Sequence, residues 1–214
     1  MKMAALIMSA AMVISGSAYA GNNSRTFEVT VTNITAGQSF TPLLAVTHSN
    51  EISVFELGEP ALDELELLAE GGMTTPLQDL LDPLKQVHDT VTTEGLLGPG
   101  ESVTFKIKGT HWNNRLTFAG MLLPTNDTFV AVNSISLPRW QTTALATAYD
   151  AGTEINDEDC GNIPGPTCGG EAISEADGEG FIHVSNGIHG IGDLPPEIFD
   201  WRSAVAKVTV RRAR

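Results

Sequence analysis

The 214-residue sequence predicts an all-β fold, an antiparallel β-sandwich with one short helical insertion. Three observations carry this expectation. Short runs that alternate apolar and polar residues recur along the chain, divided by Gly- and Pro-rich turn signals. Helical periodicity is confined to one stretch, from about Gly58 to Leu84. Strands and helices do not alternate as they must in a parallel sheet, and no period of repetition is present.

The elements follow in order. "TFEVTVTNIT" sets Phe27, Val29 and Val31 on one side and Glu28, Thr30 and Thr32 on the other, the pattern of a half-buried strand. "QSFTPLLAVTH" is a second strand, interrupted at Pro42, which cannot donate to a ladder and marks an edge or a bulge. "GEPALDELELLAEGG" changes character: Pro60 near the start, acidic first turns and terminal glycines delimit a short helix with Leu62, Leu65 and Leu68 on its apolar face. "TTPLQDLLDPL" is a further helical turn halted by Pro83. After the Gly98-Pro99-Gly100 turn the β pattern returns, with Val103, Phe105 and Ile107 alternating against Thr104, Lys106 and Lys108. "RLTFAGMLLP", "FVAVNSISLP" and "TTALATAYD" are three more strands. From about Asp150 to Gly180 the chain is acidic and irregular, longer than an ordinary connection. "GFIHVS" and "AVAKVTVRR" supply the last strands, with Trp201 packing over the sandwich end and Asp200 and Arg202 directed outward.

The first twenty residues carry one Lys, an apolar run from Met3 to about Ser15, and Ala18-Tyr19-Ala20, a small-x-small cleavage signature. They are read as a cleaved signal peptide, so the mature domain spans 21–214 and is periplasmic or secreted. No later window approaches the ~20 apolar residues of a spanning helix, which excludes membrane insertion of the mature chain. Loss of Lys2 leaves 11 basic against 26 acidic residues, a formal charge of −15. That excess argues against nucleic acids and anionic membrane surfaces, both of which need basic patches. About 190 residues suit one β-rich domain with a substantial core. The two cysteines, Cys160 and Cys168, flank a Gly/Pro-rich loop and predict a local disulfide in an exported chain. No second Cys or His pair lies near enough in sequence to make them zinc ligands.

The densest chemistry is in "YDAGTEINDED", where Asp150, Glu154, Asp157, Glu158 and Asp159 crowd one loop. A bound cation, a catalytic carboxylate pair or simple solvation each accounts for such crowding. Calcium takes six to eight oxygens, commonly from loops at the end of a rigid scaffold. Asp150, Thr153, Glu154 and Asn156 offer them, and "LPTNDTF" adds Asn126 and Asp127 before another strand. If the strands beginning at Phe129 and ending at Tyr149 are antiparallel neighbours, the two loops emerge together and Asp127 comes within reach of Asp150 and Glu154. The spacing is not that of an EF-hand. A glycosidase-type pair needs an apolar, aromatic-walled pocket to raise one pKa, whereas these acids lie in a polar loop and Trp112, Trp140 and Trp201 are scattered. His183 is flanked by apolar residues and His189 lies in a glycine-shaped loop near Asp193; no H-E-x-x-H or G-x-S-x-G occurs, so no residue is assigned a catalytic role. Asn33 and Asn126 fit glycosylation sequons.

"FEVTVTNITAGQSFTPLLAVTHS", "PTNDTFVAVNS", "YDAGTE" and "GIHGIGD…DWRSAVAKVTV" together resemble the spondin amino-terminal domain family, in a bacterial exported form, from about Phe27 to Val210. The resemblance implies a C2-like antiparallel β-sandwich with Ca²⁺ at one end, in an extracellular adhesion or recognition module that is not an enzyme. It places Asp127 at the Asp preceding the family's W-x-V-G, Asp150 at the Asp of "YDAGT", and Glu154 at the following acidic residue, where animal members have the shorter Asp. With Asn156 from the same loop, these form the expected ligand set. The expected partner is a protein or glycan of the envelope or extracellular space; a metal- or carboxylate-dependent hydrolase of the cell envelope is the alternative.

Overall fold

A computed structural model describes residues 24–174 and 178–214; the expected signal peptide lies outside them. The strands are β1 (Arg25–Asn33), β2 (Ser39–Phe40), β3 (Leu44–His48), β4 (Val87–Thr92), β5 (Ser102–Gly109), β6 (Arg115–Leu123), β7 (Thr128–Ser136), β8 (Gln141–Asp150), β9 (His183–Val184) and β10 (Ala206–Arg212). Helices α1 (Asp63–Gly71) and α2 (Thr75–Leu81) form the insertion, and α3 (Pro196–Phe199) is a single turn. Every pairing is antiparallel, in the order β4-β3-β6-β7-β8-β10-β1-β5, with β2 beside β6 and β9 beside β8. The two halves of this sheet face each other across one core, as expected, but they belong to a single curled sheet. Its two ends nearly meet: the hydroxyl of Thr47 in β3 donates to the Lys108 carbonyl of β5 at 2.6 Å, and the Lys108 N–H donates to Asp89 of β4 at 2.7 Å.

The alternation read in β1 and β5 is the pattern of this interior. Phe27, Val29, Val31, Phe105 and Ile107 pack inward against Phe118, Leu122 and Val130. Each side chain of this size removed from water contributes about 1.5–3 kcal/mol. The strands β3, β6 and β7 are covered on both faces. Their outer face (Leu44, Val46, Ala119, Phe129, Ala131) carries a second core with Leu65 and Leu68 of α1 and Leu77 and Leu81 of α2. That burial explains why a helix appears in a β-protein. Leu62, expected on the apolar stripe, instead sits at the N-cap and is 48% exposed. Gly72 ends α1 at φ +67°, the left-handed conformation of a C-terminal glycine, and a Cβ there would press on Thr41.

The expected break at Pro42 separates β2 from β3. β4 had no sequence signal: every residue of "VHDTVT" is half-buried, so neither face reads as apolar. The β6–β7 ladder shifts register near Thr117, and Ser134 takes φ +56° there. His48 holds this irregularity. Its Nδ1 donates to the Ser49 carbonyl at 2.7 Å and its Nε2 accepts from Thr117 Oγ1 at 2.9 Å, while Thr117 Oγ1 accepts the Ser134 N–H at 2.9 Å. Burial lowers the His48 pKa, and the Arg115 charge adds to the effect. Both sequon asparagines are buried, Asn33 donating to the Gln38 and Leu97 carbonyls.

Trp201 is half-buried between the main core and a cluster of Ile163, Ile188 and Leu194, although β10 starts only at Ala206. Arg202 is exposed, as expected. Asp200 is not directed outward: it accepts the Ile188 N–H at 3.2 Å and bonds Arg202 at 3.0 Å. Cys160 and Cys168 form the expected disulfide against the same cluster.

Candidate functional site

The β7–β8 ladder pairs Thr128 with Asp150 and Phe129 with Tyr149, so the loop before β7 and the loop after β8 leave the sheet together. The Ala151 N–H donates to the Asp127 carbonyl at 3.2 Å, continuing the ladder by one step. Behind it, the rings of Phe55, Phe129 and Tyr149 pack with centroids 5.2–5.7 Å apart and anchor this end to the second core.

Asp127 is fully buried. Its Oδ2 accepts the N–H groups of Thr153 at 2.8 Å and Glu154 at 3.2 Å, whereas Oδ1 is buried with no hydrogen-bond partner. Asp150 is equally buried; Oδ1 accepts the Gly152 N–H at 2.9 Å and Oδ2 accepts from the Asn156 amide at 2.9 Å. Burial and the neighbouring Asp150 charge push the Asp127 carboxyl up to about 8, against the opposing pull of its two backbone N–H bonds. Asp150 is also raised by burial, with the His183 charge working the other way. Gly152 permits the turn between them: its φ is +68°, and a Cβ would lie 2.3 Å from the Phe181 carbonyl oxygen.

Glu154 meets Asp127 through its backbone. Its own carboxylate accepts from Asn126 at 3.2 Å and is pushed up to about 7, first by burial and then by Glu70 of α1. Asn156 lies between the two acids of the rim, donating to Asp150 and, at 3.4 Å, to Glu179.

The rest of the acidic loop has a different role. Glu158, at φ +58°, is buried, and its carboxylate collects the N–H groups of His189, Gly190 and Ile191 at 2.5, 2.7 and 3.0 Å. Asp157 accepts from Asn126 at 3.0 Å and Asn162 at 2.7 Å, and Asp159 accepts the Gly161 N–H at 2.8 Å. These carboxylates fold the loop. The His189 ring lies 3.8 Å from Glu158, and it is the His189 N–H that Glu158 binds.

Two residues join the site that sequence reasoning left outside it. β9 pairs His183 directly with Asp150. His183 Nε2 lies 3.4 Å from Asp150 and 3.7 Å from Glu179, and one ligand-type atom from each of the three lies within 4.8 Å of the others. Burial opposes a charge on His183, but the Val184 carbonyl and the two carboxylates outweigh it and raise its pKa. A signal for this existed in "GFIHVS": a strand beside β8 must set some residue opposite Asp150. Nothing in the sequence indicated the register.

Residues 22–157, more than half the chain, match the family model described as Spondin_N. The chain belongs to the spondin N-terminal domain family. Asp127 and Asp150 both lie inside the matched span, whereas Glu179 and His183 lie beyond it, in the part that completes this spondin domain with β9 and β10. No curated protein matches the chain.

Proposed function

We propose that this spondin domain is an exported, non-catalytic recognition or adhesion module whose β7–β8 end is ordered by a calcium ion. One observation carries the reading: Asp127 Oδ1 is buried beside Asp150 without any hydrogen-bond partner. A buried ionised carboxylate is stable only if paired or metal-bound, and two together are worse. A divalent cation supplies the missing charge. The donors fit it, because Asp127 and Asp150 offer carboxylate oxygens and Asn156 an amide oxygen, the types calcium prefers, whereas the Glu154 carboxylate, expected as a ligand, is held by Asn126. Asp127 and Asp150 are the core ligands in this reading. Glu154 contributes by orienting Asp127, and Asn156 contributes its carbonyl oxygen after an amide flip. Glu179 completes the rim. The ion's contribution is structural: it neutralises the acids and pins both loops to the sheet end.

The disulfide is consistent with an oxidising compartment outside the cytoplasm, to which the expected signal peptide would direct the chain. A protein or glycan is the expected partner.

Thermal melts with calcium and with chelator test the ion. At ~100 times Kd a native-only ligand stabilises by about 2.7 kcal/mol, which raises the Tm by roughly 5–10 °C in a domain of this size. Asp150→Ala should abolish that rise. Superimposable melts would remove the ion from the account. Turnover of ester, phosphoester or glycoside substrates that disappears in His183→Ala or Glu154→Gln would favour a hydrolase instead.

A further inference from the structure

The chain's net charge of −14 hides a strong segregation. The helices cover the outer face of β3, β6 and β7, but among the described residues no helix covers the outer face of β8, β10, β1 and β5. On that bare face the alternation that sends Val and Phe inward sends Lys106, Lys108, Lys207 and Arg211 outward, all exposed. The carboxylates within these four strands are Glu28 and Asp150. Glu28 is engaged by Arg211, and Asp150 lies at the far end of β8. The remaining positions are largely hydroxyls, with Thr30 bonded to Thr104 and Thr32 to Ser102, each at 2.8 Å.

At the end of this face remote from Asp150, four further exposed cations gather: Arg25, Arg139, Arg212 and Arg214. A cleft of about 540 Å³ opens there between Trp140, Gln141 and the β10 terminus with Arg211, Arg212 and Arg214. Trp140 is 71% exposed, has the Arg139 guanidinium 5.7 Å from its ring centroid, and is tied to β10 by the Arg212 N–H donating to its carbonyl at 2.8 Å. Eight of the chain's twelve Lys and Arg residues therefore lie on one face and its end. β8 alone separates Gln141 from Asp150 by about 30 Å at ~3.4 Å per residue. The Debye length is ~8 Å at physiological ionic strength, so the acidic end is screened from this one.

We propose that the Trp140–Arg212–Arg214 cleft and the adjoining face bind an acidic polysaccharide. The indole offers a flat apolar surface to a sugar ring, the guanidinium forks match carboxylates in two-pronged fashion, and the Thr and Gln groups suit hydroxyls. A regularly spaced chain of uronates would continue from the cleft along the lysines. The site is concave and lined by indole, amide and guanidinium groups, which favours a saccharide over insertion into a bilayer. It does not involve the calcium reading.

Polygalacturonate as probe and neutral dextran as control test it by titration calorimetry. Wild-type protein should bind polygalacturonate at about 50 mM salt, lose about tenfold affinity at about 500 mM, and ignore dextran. Arg212→Glu with Arg214→Glu should weaken binding by about tenfold or more, and Trp140→Ala by about three- to tenfold. The side chains of Trp140, Arg212 and Arg214 are all exposed, so these variants should fold. Lys85→Glu reverses a charge off this face and should leave affinity within about twofold. Absence of wild-type binding, equal capture of dextran, or an equal loss in Lys85→Glu would overturn the proposal. So would preferential capture by phosphatidylglycerol vesicles, which would make the face a membrane-docking surface.

Discussion

Asp150 is the cross-strand partner of Thr128, and this places the buried carboxylate of Asp127, one residue earlier, where it feels the Asp150 charge directly. Neither strand contains both acids. The antiparallel ladder creates the pair, and its cost can be measured.

Asp127→Asn should separate two effects of opposite sign. Without calcium the Asp127 carboxyl, pushed up to about 8, must either take up a proton or hold a buried charge; the amide does neither and leaves one oxygen for the Thr153 and Glu154 N–H groups, so the Tm above about pH 8 should equal or exceed that of the metal-free wild type by a few degrees. With saturating calcium it should melt below wild type, because the ligand is gone. A variant that melts lower under both conditions would show Asp127 to be a folding residue and nothing more.

Glu158→Ala removes the acceptor of three backbone N–H groups in the 189–191 turn. Leaving such groups unpaired costs about 1–3 kcal/mol each, reduced where water enters, so a loss of about 3 kcal/mol is expected in denaturant melts. Glu158→Gln keeps one acceptor oxygen and should lose less. Amide exchange should accelerate first at residues 188–193.

His48 gives a pH dependence of definite sign. Burial holds its folded-state pKa below the ordinary histidine value of about 6.5, so the unfolded chain binds the extra proton first as pH falls. Stability should therefore decline as pH drops below about 6.5, until the folded-state pKa is passed. The neutral tautomer is built in, with Nε2 accepting from Thr117. Subtracting the His48→Gln stability curve from the wild-type curve isolates this contribution; a flat difference between about pH 4 and 7 would contradict it.

Replacing Cys160 and Cys168 together by Ser opens a loop with a sequence separation of 8. Restored chain entropy in the unfolded state should lower stability by about 2–3 kcal/mol. The calcium-induced rise in Tm should survive, because the ion site depends on the β7–β8 ladder. Loss of both together would mean that the stapled loop positions the ligands.

Much of this was legible in the sequence, for identifiable reasons. β1 and β5 have one buried and one wet face, so their alternation is unmistakable. The two acidic loops were placed together by reasoning about strand neighbours. β4 left no trace because it has no dry side, and Leu62 misled because apolar spacing alone does not locate a helix start. The acidic loop could not be sorted by composition: Glu158 and Asp159 organise backbone, whereas Asp150 keeps company with His183 and Glu179. Net charge could not show the segregation of charge, since it averages a cationic sheet face with an anionic rim.

The sequence by itself determined the all-β class, the breaks at Pro42 and Pro83, the disulfide and the identity of the oxygen-bearing residues, because these depend on local periodicity and local chemistry. Only the tertiary structure decided which acids lack partners, which histidine faces them, and where the cations collect. Those properties arise from register and burial between segments far apart in the chain, and no local pattern encodes them.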